Sequence, residues 1–341
     1  PVRRADTQVG PYTPRLRGAI SERWYTAKPD YAKHFRLLLF RLMPFETANR
    51  HGLWCGVGKE ATMPIAKVRG VEMNYKILGN AGPWVALSPG GRRDMSGIEL
   101  LASEVANQGH RVVIFDRRNT GASEVVIDGN DSEYEIWADD VHELLNQLGA
   151  LPAVVGGSSS GCRTALLFAL RHPESVRALL LWRITGGRFA CERLAEEYYG
   201  QFITAAKAGG MAAVCDMEHW KERIKARPQN RDALMKMDPA RFIIVMSRWR
   251  EYFLGGADLP VIGATEADLR SIKVPACIVP GNDLTHGRQT GETLGRLLQT
   301  SEVHVLFPKH YNEPLSPREE WDDKAGEMAA LFADFLKRQA V

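Results

Sequence analysis

The fold of this chain is decided by residues 152–162, which read PAVVGGSSSGC. The apolar run that ends at Gly157 predicts a short buried strand, and a helix is predicted from Cys162 to His172. Glycine on both sides of the serines permits a very sharp turn between the strand and the helix. Such a turn holds Ser159 above the carboxyl edge of a sheet and directs the Ser160 amide toward a developing oxyanion. Ser159 is therefore the predicted nucleophile; the alternative is a small-residue turn that only packs the helix on the strand.

On both sides of this turn, short apolar runs alternate with segments of helical spacing. Two extended runs within residues 65–78 predict a hairpin around Arg69-Gly70. Further strands are predicted at 84–88, 111–116, 152–157, 176–182, 274–280 and 303–307, and further helices at 98–109, 134–148, 290–298 and 324–337. Continuously apolar strands that alternate with helices predict an α/β fold built on a mostly parallel, doubly wound sheet.

Two segments depart from this alternation. Residues 185–268 are helical and rich in aromatic residues, and they predict a helical cap, or lid, inserted into a core formed by residues 63–184 and 269–341. Residues 1–62 are rich in Pro and Arg and predict an N-terminal arm with a helix-like stretch at 31–43. We expect the arm to wrap the core, to cover the active site or to form a dimer contact.

Composition excludes several classes of protein. The chain has 341 residues, of which 45% are hydrophobic and 25% charged, as in ordinary globular proteins. Its 44 Lys and Arg against 41 Asp and Glu leave a net charge of +3, which argues against a dedicated nucleic-acid binder. The five scattered cysteines favour a reducing, cytoplasmic location, and no apolar run reaches the roughly 20 residues of a membrane span. No histidine pair has the spacing of a metal site and no G-x-G-x-x-G follows the first strand, so we expect neither metal nor cofactor.

The chain resembles proteins of the α/β-hydrolase fold superfamily from about residue 64 to its end. The resemblance rests on the G-x-S-x-G turn, on residues 88–91 (SPGG) and on residues 116–123 (DRRNTGAS), which are similar to the D-x-R-G-x-G-x-S turn of the family. Residues 88–91 lie where the family has its oxyanion loop, with Pro89 in the place of the usual histidine. The resemblance implies that an amide of Gly91 or Arg92 completes the oxyanion hole begun by Ser160.

The resemblance also implies a catalytic triad in the chain order nucleophile, acid, histidine. Asp283 follows a late predicted strand and is the expected acid. His310 follows the last predicted strand and is the expected general base. His286 is its main rival, because it lies on the loop that carries the acid. His304, within the last strand, is expected to be a packed or surface residue.

These residues predict a serine hydrolase that cleaves an ester or lactone of a small or medium-sized organic substrate. Trp220, Trp249 and Tyr252 of the lid are candidates for an apolar substrate pocket, although packing of the lid would also account for them. Arg93, beside Arg92, is a candidate partner for a substrate carboxylate; a surface salt bridge is the alternative. Hydrolysis of a C–C bond in an acidic diketone with the same triad, and a non-catalytic ligand-binding role, stay open, as does a homodimer through the arm or the lid.

Overall fold

A computed structural model describes residues 64–341. The predicted arm at 1–62, with its helix-like stretch, lies outside the described residues. Within residues 64–341 no helix is long and apolar enough to cross a bilayer.

The centre of the fold is an eight-stranded sheet of order β1-β2-β4-β3-β5-β6-β7-β8. The first two strands form an antiparallel hairpin, β2 pairs antiparallel with β4, and all other pairings are parallel. The strands are β1 Ile65–Val68, β2 Val71–Leu78, β3 Trp84–Ser88, β4 Arg111–Phe115, β5 Ala153–Ser158, β6 Val176–Trp182, β7 Ala276–Val279 and β8 Ser301–Val303. The predicted mostly parallel sheet is confirmed.

Helices follow the strands in the alternation that the sequence predicts. Between β3 and β6 lie α1 Glu99–Asn107, α2 Glu133–Gln147 and α3 Ser160–Arg171. Between β6 and β7 lie α4 Arg188–Ala195, a π-helical turn Glu196–Gly200, α5 Gln201–Cys215, α6 Glu218–Ala226, α7 Gln229–Met235, α8 Pro239–Leu254 and α9 Glu266–Ser271. After β7 come α10 Arg288–Leu297, α11 Arg318–Asp322 and α12 Ala325–Arg338.

Both faces of the sheet are buried, because alternate residues of each strand point to opposite sides. On β3, Val85 and Leu87 pack with residues of α1 and α12, whereas Ala86 packs with residues of α2, α3 and the helices after β6. This two-sided burial explains why the strands read as continuous apolar runs.

The last strand differs from its prediction. We expected it at 303–307, but β8 spans Ser301–Val303, and Val305 is exposed. Among residues 304–307 only Phe307 is fully buried, and its ring stacks on that of Trp321. The apolar spacing of 303–307 therefore reflects one buried aromatic anchor in a loop and not a strand.

The sharp turn between β5 and α3 depends on the absence of side chains at its two flanks. A Cβ on Gly157 would lie 2.6 Å from the carbonyl carbon of Gly161 and 2.7 Å from the carbonyl oxygen of Ser88. A Cβ on Gly161 would overlap the same Ser88 carbonyl. The helix start and the end of β3 can therefore touch backbone to backbone, which brings residues 88–91 beside Ser159.

Gly161→Ala is predicted to lower the free energy of unfolding by about 1–3 kcal/mol, since the added methyl must displace backbone and not a flexible side chain. Gly326→Ala is the matched control: nothing lies within 4 Å of a Cβ at Gly326, near the start of α12. The control is expected to be more stable than wild type by roughly 0.5–1 kcal/mol. Urea denaturation measures both, and equal stability of the two variants would contradict the close-approach argument.

Candidate active site

Ser159 stands at the tip of the turn in a strained backbone conformation. Its φ of 54° and ψ of −110° lie in a region that residues with a side chain rarely adopt. The conformation is held by a hydrogen bond from the Ser159 amide to the carbonyl of Trp182, at 3.1 Å. Its hydroxyl lies 2.9 Å from Nε2 of His286 and 2.9 Å from the hydroxyl of Thr185. The serine is thus held against a base by the strand–turn–helix geometry.

The candidate base, His286, and the candidate acid, Asp283, lie on one loop directly after β7. Oδ1 of Asp283 accepts hydrogen bonds from the amides of Thr285 and His286 and lies 2.8 Å from Nδ1 of the His286 ring. Gly281 lets the loop fold back on itself, because a Cβ there would overlap the backbone and Cβ of His286. An ionised carboxylate only accepts, so the Nδ1 proton points at Asp283 and Nε2 is left to accept the proton of Ser159.

The second oxygen of Asp283 is held by groups from two other segments. It accepts a hydrogen bond from Nη2 of Arg183 at 3.0 Å, from the Ser316 amide at 2.9 Å and from the Ser316 hydroxyl at 3.1 Å. Both Asp283 oxygens are therefore fully used, and the carboxylate cannot rotate away from the histidine ring.

The surroundings set opposite protonation states for the pair. Burial alone would raise the pKa of the Asp283 carboxyl, but its bonds to His286 and Ser316 and the charge of Arg183 hold that pKa well below its usual range. Burial lowers the pKa of His286 to about 4, assisted by the charge of Arg183 and opposed by the hydrogen bond to Asp283. At neutral pH, Asp283 is therefore ionised and His286 is neutral.

The expectation that His310 is the base needs correction. The structure brings His286, the rival, to Ser159, whereas His310 is exposed in the loop after β8. Tyr311 donates its amide to the carbonyl of Asn282, so this loop does lie beside the acid, but the His310 side chain faces outward. His304 is partly exposed, and its ring nitrogen lies 3.2 Å from Glu302, as expected of a surface histidine.

A signal for His286 was present in the sequence. Residues 281–287 read GNDLTHG, with an aspartate three residues before a histidine and glycine at both ends. Aspartate followed by free amides forms a turn on its own side chain, which draws the residues after it toward the carboxylate. Sequence reasoning also missed Thr185 and Arg183, which follow β6 and contact Ser159 and Asp283 respectively.

The expected oxyanion loop lies beside Ser159. Gly90 and Arg93 close a turn by a backbone hydrogen bond of 3.3 Å, with Gly91 at a φ of 55°. The Gly91 carbonyl is held by Arg117 Nη2 at 2.6 Å and by the Ser160 hydroxyl at 2.8 Å. No residue of 64–341 accepts the amide of Gly91 or of Arg92. Their role and that of the Ser160 amide as oxyanion donors stay predictions.

The two arginines after this turn have different surroundings. Arg92 is buried and its guanidinium pairs with Glu133, which also accepts the hydroxyl of Tyr199 at 3.1 Å. Arg93 is exposed. Arg92 is therefore engaged by the protein itself, and a substrate role for Arg93 stays a prediction.

The three aromatic candidates for a substrate pocket differ in their burial. Trp220 is fully buried among helices between β6 and β7, where its ring lies 5.3 Å from that of Phe202. Trp249 is buried as well and donates its indole N–H to the carbonyl of Asp131 at 3.1 Å. Tyr252 is half exposed. These contacts fit the packing alternative for both tryptophans, and a role in substrate binding stays a prediction for all three residues.

One group of potential metal ligands occurs within residues 64–341. His142, His172 and Glu174 bring ligand atoms within 4.8 Å of one another. The two imidazole rings stack on each other, and their Nε2 atoms lie 3.1 Å from Ser175 Oγ and 2.9 Å from Asp139 Oδ1 respectively. One nitrogen of each ring is therefore engaged within the protein, and the group lies at the other end of α3 from Ser159.

Comparison with known proteins agrees with this architecture. A family described as the alpha/beta hydrolase fold matches residues 89–184, which include the oxyanion loop and the turn at Ser159. The hydrolase YraK of Bacillus subtilis, which has not been characterised, is 34% identical over 114 residues, or 33% of this chain and 41% of that protein. The sn-1-specific diacylglycerol lipase ABHD11 of Mus musculus is 36% identical over 109 residues, or 32% of this chain and 33% of that protein. The matched segments thus span about two fifths or less of these relatives.

Solved structures extend the likeness to the rest of the sheet. The enol-lactonase from Burkholderia xenovorans LB400 superposes with a TM-score of 0.51 at 22% identity, over 81% of this chain and 99% of that one. Identity at this level supports the fold alone. Together with the sheet order and the turn at Ser159, these matches show that residues 64–341 have the α/β-hydrolase fold.

The depressed pKa of His286 predicts an unusual pH profile. A free-enzyme base must be neutral to act, so the acid limb of kcat/KM is expected to have its midpoint below the ordinary histidine value of about 6.5, toward the pKa of about 4. Arg183→Met removes a charge that lowers this pKa and is expected to shift the midpoint upward. Arg177→Met, at an exposed arginine of β6, is the control and leaves the midpoint unchanged. Ester hydrolysis followed from pH 4 to 8, with circular dichroism at each pH, measures the profile; a wild-type midpoint at 6.5 or above contradicts the prediction.

Proposed function

We propose that this protein is a serine hydrolase in which Ser159 is the nucleophile, His286 the general base and Asp283 the acid that orients it. The observation that carries the proposal is the unbroken chain from Ser159 Oγ through both nitrogens of His286 to Asp283, with bonds of 2.9 and 2.8 Å. These lengths lie within the range that proton transfer requires.

The reaction follows the acyl-enzyme route. Nε2 of His286 takes the hydroxyl proton as Ser159 Oγ attacks the substrate carbonyl, and the carbonyl electron pair moves to oxygen. Amides of Ser160 and of Gly91 or Arg92 stabilise that oxygen. Collapse expels the alcohol, which takes its proton from His286, and a water then releases the acid by the same steps. Serine, base and amides supply all the groups that this chemistry needs, so the proposal includes no cofactor.

Thr185 adds a contact that orients the nucleophile. Because the proton of Ser159 points to His286, the Thr185 hydroxyl donates to Ser159 Oγ. This second bond holds the serine rotamer that faces the base.

The proposed substrate is a small or medium-sized organic ester or lactone. Supporting this, the helices between β6 and β7 lie over the oxyanion loop: the Tyr198 hydroxyl would lie 3.3 Å from a Cβ on Gly91, and Arg223 donates to the carbonyl of Arg92. Residues 185–268 would therefore act as the cap that the sequence predicts, and a closed cap favours a small substrate over an extended polymer.

Hydrolysis of a C–C bond in an acidic diketone is the second candidate. It is favoured by the positive charge around the oxyanion loop, where Arg92, Arg117 and Arg223 are all buried. Glu133 pairs with Arg92, and the exposed Glu222 pairs with Arg223. A non-catalytic role has less support, because a ligand-binding protein gains nothing from a strained serine held against a buried, neutral histidine.

The remaining expectations are kept as proposals. A cytoplasmic location agrees with the four described cysteines, which are all free and buried. A homodimer through the arm or the cap, and the absence of a nucleic-acid partner, rest on the sequence.

The proposal is tested by labelling with a fluorophosphonate, which reacts with activated serines. Wild type is expected to form an adduct that peptide mass spectrometry maps to Ser159, and Ser159→Ala to form none. Ser158→Ala is the control, since Ser158 ends β5 and does not contact His286. An adduct that persists in Ser159→Ala would refute Ser159 as the nucleophile.

The assignment of the base has its own pair of variants. His286→Ala is expected to lower kcat/KM for p-nitrophenyl acetate by about 10⁴-fold or more, because the serine loses its proton acceptor. His310→Ala is expected to leave kcat/KM within about twofold, since the exposed ring contacts neither Ser159 nor Asp283. The reverse pattern would restore His310 as the base.

A further inference from the structure

Arg163 lies one helical turn after the nucleophile and is buried without a partner. It is in the first turns of α3, where its amide approaches the carbonyl of Ser159 at 3.4 Å. The side chain is 3% exposed. None of its three guanidinium nitrogens has a hydrogen-bond partner within residues 64–341. Side chains of a helix lean toward its N-terminus, so the guanidinium extends back toward the edge of the sheet that carries Ser159.

Aromatic rings from two different parts of the fold lie against this guanidinium. Its central carbon lies 4.0 Å from the ring centre of Tyr134, at the start of α2, and 4.5 Å from that of Phe253, near the end of α8. The two ring centres lie 6.0 Å apart, too close for rings on opposite faces, so the rings do not sandwich the guanidinium. They leave its N–H groups without a partner within residues 64–341. The Tyr134 hydroxyl, in a side chain only 4% exposed, also lacks a partner within the described chain.

No carboxylate within residues 64–341 forms a hydrogen bond with Arg163. The buried carboxylates of Glu133, Asp140 and Asp283 each pair with another arginine, namely Arg92, Arg118 and Arg183 respectively. Burial raises the pKa of Tyr134, and the charge of Arg163 is the strongest opposing influence, ahead of those of Arg92 and Arg117. An excess of positive charge is therefore enclosed between the core and the helices after β6.

Burying an unpaired guanidinium costs free energy unless an anion binds to it. Burial of an arginine is normally accompanied by pairing of its donors, because an ionised group without partners loses its hydration for nothing. Arg92 illustrates the usual solution, since its guanidinium contacts both Glu133 and the ring of Tyr199. Arg163 has aromatic contacts, as Arg92 does, but no carboxylate within residues 64–341 pairs with it.

We propose that Arg163, with the Tyr134 hydroxyl, binds a carboxylate of the substrate between the core and the cap, one helical turn from Ser159. The planar guanidinium presents paired N–H groups that match the two oxygens of a carboxylate. The proposal rests on the hydrolase function and narrows its substrate class to esters or lactones that carry a second, ionised acid group.

Two pairs of matched esters test the substrate class. Mono-p-nitrophenyl glutarate and p-nitrophenyl pentanoate differ only in a carboxylate or methyl at the end of the acyl group. The acetate esters of 4-hydroxybenzoate and of 4-methylphenol differ in the same way on the leaving group. Wild type is expected to prefer the acidic member of at least one pair by about tenfold or more in kcat/KM. Equal rates within both pairs would overturn the proposal.

Substitutions at Arg163 assign that preference to the guanidinium. Arg163→Met is expected to lower kcat/KM for the acidic ester about tenfold more than for its neutral partner and so to abolish the preference. Arg163→Lys is expected to retain part of the preference, because a lysine keeps the charge but lacks the planar, paired N–H groups. Arg250→Met, at a partly exposed arginine of α8, is the control and keeps the full preference. Retention of the acid preference by Arg163→Met would overturn the proposal.

Binding measurements separate this proposal from the hydrolase function. Glutarate is expected to raise the thermal midpoint of wild type and of Ser159→Ala, but not of Arg163→Met. Without glutarate, Arg163→Met is expected to unfold at or above the wild-type midpoint, since an unpaired buried charge has been removed and methionine packs well against aromatic rings. Glutarate binding that depends on Arg163 in a protein that fluorophosphonate does not label would leave the carboxylate site standing and refute the hydrolase. If fluorophosphonate labels Ser159 but glutarate binding does not depend on Arg163, the hydrolase function is supported and the carboxylate site is refuted.

Discussion

The backbone contact between the start of α3 and the end of β3 is the constraint on which the rest of the site depends. Gly157 and Gly161 allow the Ser88 carbonyl to approach the turn more closely than any side chain would permit. This contact forces Ser159 into its strained conformation and brings the loop at Gly91 to the same point. The end of β3 and the start of α3, which are distant in sequence, thereby form one cradle, the backbone around Ser159. The proposed catalytic contacts all depend on this arrangement.

Charge is distributed around this cradle in a way that favours an anionic substrate. Asp283 is neutralised by Arg183, so the carboxylate that orients His286 adds little negative charge to the cleft. Arg117 donates hydrogen bonds to the Gly91 carbonyl and to the Ser160 hydroxyl. The guanidinium of Arg163 has no hydrogen-bond partner within residues 64–341. These arginines concentrate positive charge near Ser159, and the proposed selectivity for acids rests on this local charge and not on the chain's net charge of +3.

The sequence was sufficient for the sheet and for the turn at Ser159, because both depend on local pattern: continuous apolar strands and small residues at a sharp turn. An aspartate directly after a strand also pointed to Asp283, whose role as the acid stays a proposal. Local pattern did not select His286, the histidine that lies against Ser159. His286 and His310 both follow late strands, and the choice between them depends on how the loop after β7 folds back at Gly281, which spacing alone does not reveal. The last strand was misplaced for a related reason, since Phe307 is buried by its stack on Trp321 and not by strand pairing. The burial of the arginines could not be predicted either, because no local pattern indicates that Arg163 contacts the rings of Tyr134 and Phe253.

The proposed mechanism depends on Asp283 and His286, three residues apart on one loop, acting together on Ser159. A crystal structure of the protein after reaction with a fluorophosphonate would reveal this arrangement, because the phosphonyl group mimics the tetrahedral intermediate. We expect phosphorus bonded to Ser159 Oγ, Nε2 of His286 within hydrogen-bond distance of Oγ or of a phosphonyl oxygen, and another phosphonyl oxygen facing the amides of Ser160 and of Gly91 or Arg92. An adduct in which His310 approaches the phosphonyl group while His286 has turned away from Ser159 would contradict it.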